Sequence, residues 1–229
     1  MAELLAVETS AEACSVALVI DGEINEFFEH APLRHAEVLL PAIERLLQQS
    51  GRALATLDGI AFGRGPGSFT SLRIGIGVVQ GLAWAAGLPV IPVSSLAAAA
   101  QAATANDDAP ATPTVVALDA RMGEVYAAEF RVGADGLVRP AGAERVCDPA
   151  QLQLPQAGTF IAVGNGFERF DILRQAAVQA LDCRQSVWPT AAAVHRLAED
   201  WLLSNEPLPA AMAQPVYLRN DVAVKPGVD

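Results

Sequence analysis

The chain of 229 residues is long enough for one large domain or two small ones. Its composition, 52% hydrophobic and 18% charged, excludes a mainly disordered protein. The formal net charge of −11 disfavours direct binding to duplex nucleic acid or to an anionic membrane, and the single lysine, Lys225, excludes chemistry that needs a lysine inside a core motif.

The first fifty residues predict a three-stranded antiparallel meander followed by a helix. Apolar runs predict strands at residues 4–7, 14–20 and 23–29, and Asp21-Gly22 is a hairpin turn between the last two. Apolar residues at helical spacing predict a helix over residues 36–49, which Gly51 ends. Because proline removes a helical hydrogen bond, the helix either begins close to Pro41 or bends there.

A glycine-rich loop at residues 63–68 joins a short strand, 57–62, to a helix over 69–86 with Ser68 as its N-cap. Such a loop before a helix can bind an anion, but the spacing matches neither the dinucleotide fingerprint nor the Walker loop. A shaped turn or contact surface is therefore favoured over an anion site. A strand at 90–93 and a helix to about residue 105, capped by Ser94 or Ser95, complete the first half.

The helix over residues 69–86 contains three interior glycines, Gly75, Gly77 and Gly81, and is apolar nearly all round. Each interior glycine costs about 1 kcal/mol relative to alanine, so close packing must offset the loss. The helix is either fully buried or lies between a sheet and a partner. No charged residue occurs between Arg73 and Asp107, but Pro89 and Pro92 interrupt the run and argue against a membrane span.

The second half loosely repeats the first. Residues 106–113 form the clearest linker, strands are predicted at 115–118, 124–132, 137–146, 159–163 and 216–219, and helices at 169–181 and 191–204. Meanders that alternate with helices in two halves predict an α/β protein of two related lobes.

Residue types that carry chemistry are sparse. The three histidines have no carboxylate at metal-ligand spacing, and no hydrolase or zincin motif is present, so no metal site is predicted. Glu8, Asp21 and Asp119 could act as acids at strand ends, although such carboxylates are also common in turns. Three distant cysteines and no basic leader indicate a cytoplasmic protein without disulfides.

Several segments, in order along the whole chain, resemble the TsaB (YeaZ) family. They are Ala6–Ser10, Glu12–Ala17, Phe62–Thr70, Leu72–Gly75, Asp119–Tyr126, Gly164–Gly166 and Pro215–Arg219. The resemblance implies an actin-like or Hsp70-like fold, related to ribonuclease H, with two α/β lobes and mixed sheets. It places the N-terminal lobe at residues 1–106, together with about 214–229 from the C-terminus, and the C-terminal lobe at 107–213.

The resemblance also implies a function: a non-catalytic scaffold and activator, required for threonylcarbamoyladenosine at position 37 of tRNAs that read ANN codons. Its expected partners are TsaD as a heterodimer, a second copy as a homodimer, and TsaE recruited to the complex, with tRNA contacted only indirectly and no cofactor or membrane. The catalytic relative carries a His-x-x-x-His metal site where this chain has Ser94-Ser95-Leu96-Ala97-Ala98-Ala99. The chain is therefore expected not to be an enzyme.

The family pairs through its first two helices, which here implies an interface at Leu39, Ile43, Leu46, Leu72, Arg73, Gly75, Ile76, Gly77, Val79 and Gly81. A charge at Gly77 or Ile76 is expected to weaken pairing while leaving the fold largely intact. A candidate anion or nucleotide contact comprises Glu8, Thr9, Ser10, Gly65, Gly67 and Ser68. The alternative function is a nucleotide-dependent phosphotransferase of the same fold, with Glu8 or Asp119 near a metal.

Overall fold

A computed structural model describes residues 2–104 and 112–219. Most of the linker predicted at 106–113, the boundary at residue 106 and the end of the C-terminal segment lie outside these described residues. The division into the two lobes predicted from the sequence therefore stays a prediction.

The first sheet has five strands in the order β3-β2-β1-β4-β5. Its strands are β1 (Leu4–Glu8), β2 (Ala13–Ile20), β3 (Glu23–His30), β4 (Gly59–Gly63) and β5 (Val90–Val93). The first three strands are antiparallel, whereas β4 and β5 run parallel to β1, so the sheet is mixed. The hairpin turn is confirmed, since Asp21 and Gly22 both have positive φ, as a tight two-residue turn requires.

The second sheet repeats this topology in the order β11-β10-β6-β7-β8, with β9 also paired to β7. Its strands are β6 (Pro113–Asp119), β7 (Val125–Val132), β8 (Val138–Pro140), β9 (Arg145–Cys147), β10 (Ile161–Val163) and β11 (Asp182–Arg184). The single strand predicted at 137–146 is wrong. The strand ends at Pro140, and the two separate strands, β8 and β9, pair with opposite ends of β7.

Among residues 2–104 and 112–219, six α-helices lie in three layers, one outside each sheet and one between the two sheets. They are α1 (His35–Ser50), α2 (Phe69–Ala86), α3 (Ser95–Thr104), α4 (Gly166–Arg169), α5 (Asp171–Ala177) and α6 (Ala191–Leu202). The first two cover the outer face of the first sheet, and α4 and α5 cover the outer face of the second. Between the sheets, α3 packs on the second sheet and α6 on the first, and the two helices contact each other. This arrangement is the actin-like fold predicted from the sequence.

Most of the local differences from the predicted elements lie in the second half of the chain. The helix predicted at 169–181 is shorter, α5 at Asp171–Ala177, and the extended backbone of Phe170 separates it from α4, which the sequence did not predict. The strand at 216–219 is absent: Val216 N–H donates to the Arg64 carbonyl, but no ladder follows. In the first half, α1 contains Pro41 in its second turn, so the helix does not begin close to Pro41.

Only α2, among the described residues, is long and apolar enough to cross a membrane by length and composition alone. That is weak evidence, since helices in the core of a soluble protein pass the same test. This helix packs through Leu72, Ile76, Val79 and Ala83 on the first sheet.

Candidate functional site

The outer side of α2 is exposed and carries a continuous stripe of residues one helical turn apart. Phe69, Arg73, Gly77, Gly81 and Trp84 are all exposed, and Trp84 presents 75% of its surface to solvent. Further exposed side chains come from segments that contact α2: Leu40 of α1, Met212 of a 3-10 turn, and Tyr217, which bonds to Arg73. We call these eight residues the α1–α2 face.

The three glycines of α2 have two different surroundings. A methyl group at Gly75 would lie 2.1 Å from the Thr9 Oγ1 atom, so this glycine allows α2 to approach the end of β1. A methyl group at Gly77 or Gly81 would have no atom beyond its own helical turn within 4 Å. Packing inside the chain therefore explains Gly75 and leaves Gly77 and Gly81 without an internal reason.

Two glycines of the loop before α2 also pack around the turn that follows β1. A methyl group at Gly63 would lie 2.0 Å from a Glu8 carboxylate oxygen, and one at Gly67 would lie 2.3 Å from the Ser10 carbonyl oxygen. Both positions must lack a side chain for the turn to fit. The loop therefore packs closely against the residues that follow β1.

Glu8 is buried at the centre of this turn. Its carboxylate accepts hydrogen bonds from the Ser10 N–H at 2.6 Å and from the Ser95 Oγ at 2.8 Å, and the Gly65 N–H donates to the same Ser95 oxygen at 3.2 Å. Burial raises the pKa of Glu8, and the hydrogen bonds from Ser10 and Ser95 partly oppose that rise. The carboxylate therefore ties β1 to the start of α3.

A cleft of about 500 Å³ separates the start of α2 from the turn between β6 and β7. Ser10, Gly67 and Ser68 line it, whereas Glu8, Thr9 and Gly65 lie outside its lining. Across its mouth, Arg121 forms an ion pair with Glu12 at 3.1 Å. The candidate anion contact is thus divided between the cleft and the packed turn behind it.

The second candidate acid, Asp119, lies in the cleft wall with 5% of its side chain exposed. Arg121 and Arg169 each approach its carboxylate within 3.3 Å. Both Glu8 and Asp119 are therefore engaged by groups of the chain itself, which does not suit them to hold a nucleotide-bound metal. Within the described residues, no group of three or more His, Cys, Asp or Glu side chains could hold a metal ion.

Most of the interface residues named from the sequence lie inside the chain. Seven of them are buried in the chain's own packing, namely Leu39, Ile43, Leu46, Leu72, Gly75, Ile76 and Val79. The other three, Arg73, Gly77 and Gly81, are exposed on the stripe. The expectation that a charge at Ile76 leaves the fold intact is wrong, because Ile76 is 6% exposed and packs in the core of the first sheet.

Arg73 is held in place by two aromatic side chains. Its guanidinium carbon lies 3.8 Å from the centre of the Phe69 ring, and its Nε donates to the Tyr217 hydroxyl at 3.0 Å. Trp84 could have been found from the sequence, since it follows Gly77 and Gly81 at helical spacing. The resemblance placed the segment of Tyr217 with the N-terminal lobe, but no pattern in the sequence places Met212 or Tyr217 beside α2, because the contact joins segments more than 120 residues apart.

The comparison with known proteins agrees with this architecture. The family model described as "TsaD: tRNA N6-adenosine threonylcarbamoyltransferase" matches residues 29–224. The tRNA threonylcarbamoyladenosine biosynthesis protein TsaB of Escherichia coli K12 is 39% identical over 97% of this chain and 96% of that protein. The chain belongs to the TsaB (YeaZ) family. The TsaB of Haemophilus influenzae is similarly related, at 40% identity over 97% of this chain and 95% of its own length.

Solved structures of the TsaB family have the same fold. YeaZ from Pseudomonas aeruginosa superposes with a TM-score of 0.85 at 39% identity, and covers 95% of this chain and 100% of the solved one. A second Pseudomonas aeruginosa structure, described as similar to peptidase YeaZ, gives 0.86 at 40% identity over 96% and 100%. The resemblance predicted from the sequence is confirmed, and with it the actin-like fold.

Proposed function

We propose that the chain takes part in tRNA threonylcarbamoyladenosine biosynthesis as the non-catalytic partner of TsaD, bound through the α1–α2 face. The role in this biosynthesis is supported by two relatives that are named tRNA threonylcarbamoyladenosine biosynthesis proteins. The proposed product is the modified adenosine at position 37 of tRNAs that read ANN codons. TsaE joins the pair, a second copy can replace TsaD on the same face, and this chain contacts tRNA only indirectly, in the cytoplasm.

The observation that carries the proposal is the composition of the α1–α2 face. Two large aromatic side chains, Phe69 and Trp84, stand exposed at the ends of a stripe whose middle, Gly77 and Gly81, has no side chain. Exposed aromatic and arginine side chains are typical of the centre of protein interfaces. Glycines on an open helix face allow the backbone of another helix to approach closely. Such an approach by a partner would explain Gly77 and Gly81, which packing inside the chain does not explain.

Kinship with the proposed partner supports a helix-to-helix arrangement. The family model that matches this chain is that of TsaD itself. The tRNA N6-adenosine threonylcarbamoyltransferase of Solidesulfovibrio magneticus is 36% identical over 120 residues, which span 45% of this chain and 32% of that protein. Two proteins of one fold can pair through equivalent helices about a pseudo-twofold axis, as homodimers do. An interface of about 1,200–2,000 Å² would suit such a pair.

The phosphotransferase alternative has less support. It needs a free carboxylate at the end of β1 or β6 to hold a metal with the nucleotide. Glu8 is buried and bonded to Ser10 and Ser95, and Asp119 is bonded to two arginines. Where the resemblance places the metal-ligating histidines of TsaD, Ser94 accepts from the Ala97 N–H at 3.1 Å and Ser95 donates to Glu8.

The test is pairing of the full chain with TsaD from the same organism, followed by sedimentation at micromolar concentration. We expect a heterodimer with the unaltered chain and with Gly142→Leu, and little or none with Gly81→Leu. Gly142 is the matched control because it is also exposed, with no atom within 4 Å of a methyl group there, but lies between β8 and β9 on the second sheet. No complex with the unaltered chain, or equal pairing by both variants, would overturn the proposal.

A further inference from the structure

Arg73 differs from the other residues of α2 in its charge. It is the one charged residue among the eighteen of this helix, and it lies on the exposed stripe. Its guanidinium stacks on Phe69, whose ring centre is 5.4 Å from that of Tyr217, and its Nε is bonded to the Tyr217 hydroxyl. These contacts fix the plane of the guanidinium before anything binds to it.

The two terminal nitrogens of Arg73 have no carboxylate partner among residues 2–104 and 112–219. Other arginines do have one: Arg64 pairs with Glu144 at 3.2 Å, and Arg121 with Glu12 at 3.1 Å. In a protein with a formal charge of −11, acidic side chains are in excess. Arg45 also stacks on an aromatic ring without an ion pair, but among the described arginines only Arg73 is held both by an aromatic ring and by a tyrosine hydroxyl.

Covering Arg73 with a partner would remove its charge from water. Burial of an unpaired charge is costly, whereas a planar guanidinium matches a carboxylate through two parallel hydrogen bonds. Because Phe69 and Tyr217 already hold the group, less conformational freedom is lost when the second partner arrives. A protein that docks on the α1–α2 face must therefore bring an anion to this point.

We propose that Arg73, stacked on Phe69 and bonded to Tyr217, receives an aspartate or glutamate carboxylate of the TsaD partner through its two terminal nitrogens. This inference rests on the proposed function and adds to it the chemistry of one contact. A protein carboxylate is favoured over an RNA phosphate, because the surrounding face is apolar and the chain is strongly acidic. A second copy would offer no acidic residue from α2, only Glu37 and Glu44 of α1, and the experiment below distinguishes it from TsaD.

The experiment compares the affinity of TsaD for the full chain and for Arg73→Gln, Arg73→Lys and Arg45→Gln, at low and at high salt. Arg45 is the matched control: it is exposed on α1, and it also stacks on an aromatic ring, 5.0 Å from the centre of Phe27 on β3. We expect Arg73→Gln to raise the dissociation constant roughly ten- to hundredfold and to flatten its salt dependence. Arg73→Lys should fall between, and Arg45→Gln should match the unaltered chain.

The outcomes separate this inference from the proposed function. Failure of the unaltered chain to bind TsaD refutes the proposed function. In another outcome, Gly81→Leu abolishes binding to TsaD, but the dissociation constant of Arg73→Gln stays within twofold of that of Arg45→Gln. This result would support the α1–α2 face as the docking surface and overturn the ion pair. Arg73→Lys equal to the unaltered chain would contradict the planar two-bond contact. If the chain alone self-associates and Arg73→Gln abolishes this, the anion belongs to a second copy. If the chain alone binds tRNA and Arg73→Gln abolishes this, the anion is an RNA phosphate. Either result would overturn the assignment to TsaD.

Discussion

Gly77 and Gly81 should make the isolated chain less stable than a variant with alanine at both positions. An interior helical glycine costs about 1 kcal/mol relative to alanine, so the double variant Gly77→Ala/Gly81→Ala should gain about 2 kcal/mol in free energy of unfolding. No clash opposes this gain, because a methyl group at either position has no atom beyond its own turn within 4 Å. For a chain of this length about 2 kcal/mol corresponds to a rise of roughly 4–8 °C in Tm.

Thermal and urea unfolding of the isolated chain, followed by circular dichroism, measure this gain. The same double variant should bind TsaD more weakly, since two methyl groups separate the helices. Gly142→Ala serves as the control for pairing, because it adds a methyl group to open space on the second sheet. A double variant that is less stable than the unaltered chain, or one that is more stable and binds TsaD equally well, would refute the reasoning.

Two further predictions concern the turn behind the cleft. Gly75→Ala raises helix propensity as much as Gly77→Ala does, but its methyl group would lie 2.1 Å from the hydroxyl oxygen of the buried Thr9. The free energy of unfolding of Gly75→Ala should therefore be lower than that of Gly77→Ala by about 1–3 kcal/mol. Equal unfolding midpoints of the two variants in urea would contradict this. Burial raises the pKa of Glu8, so the folded state keeps the carboxyl proton to higher pH than the unfolded state. The free energy of unfolding of the unaltered chain, relative to that of Glu8→Gln, should therefore fall as the pH rises above about 4.5 and then level off. A difference between the two proteins that does not change with pH would show that burial does not raise this pKa.

The sequence predicts most elements of the first half of the chain because they are defined by local patterns. The turn at Asp21-Gly22 and the stop at Gly51 are conformations that glycine permits at low cost, and both are confirmed. Errors cluster in the second half of the chain, where four strands have three residues each, the strand predicted at 137–146 is interrupted after Pro140 and Phe170 lies between two short helices. Such short elements are fixed by pairing with distant strands, and apolar periodicity over so few residues carries little signal.

The candidate site shows the same division. Glycines in an apolar helix indicate an unusual contact, but the sequence does not tell which contact each one serves. Only the fold shows that Gly75 receives Thr9 and that Gly81 faces outward. Leu39 and Leu72 fit the helical pattern of an interface equally well, yet both are buried in the chain's own core. A helix that packs on a sheet and on a partner has apolar residues on both sides, which periodicity cannot separate.

The most direct test of the central claim is threonylcarbamoyl transfer to tRNA by purified TsaC, TsaD and TsaE, with threonine, bicarbonate and ATP, in the presence and absence of this chain. The account predicts that transfer depends on the chain, that Gly81→Leu fails to support it, and that the chain has no activity when it replaces TsaD. Transfer that is unchanged when the chain is omitted would contradict the account.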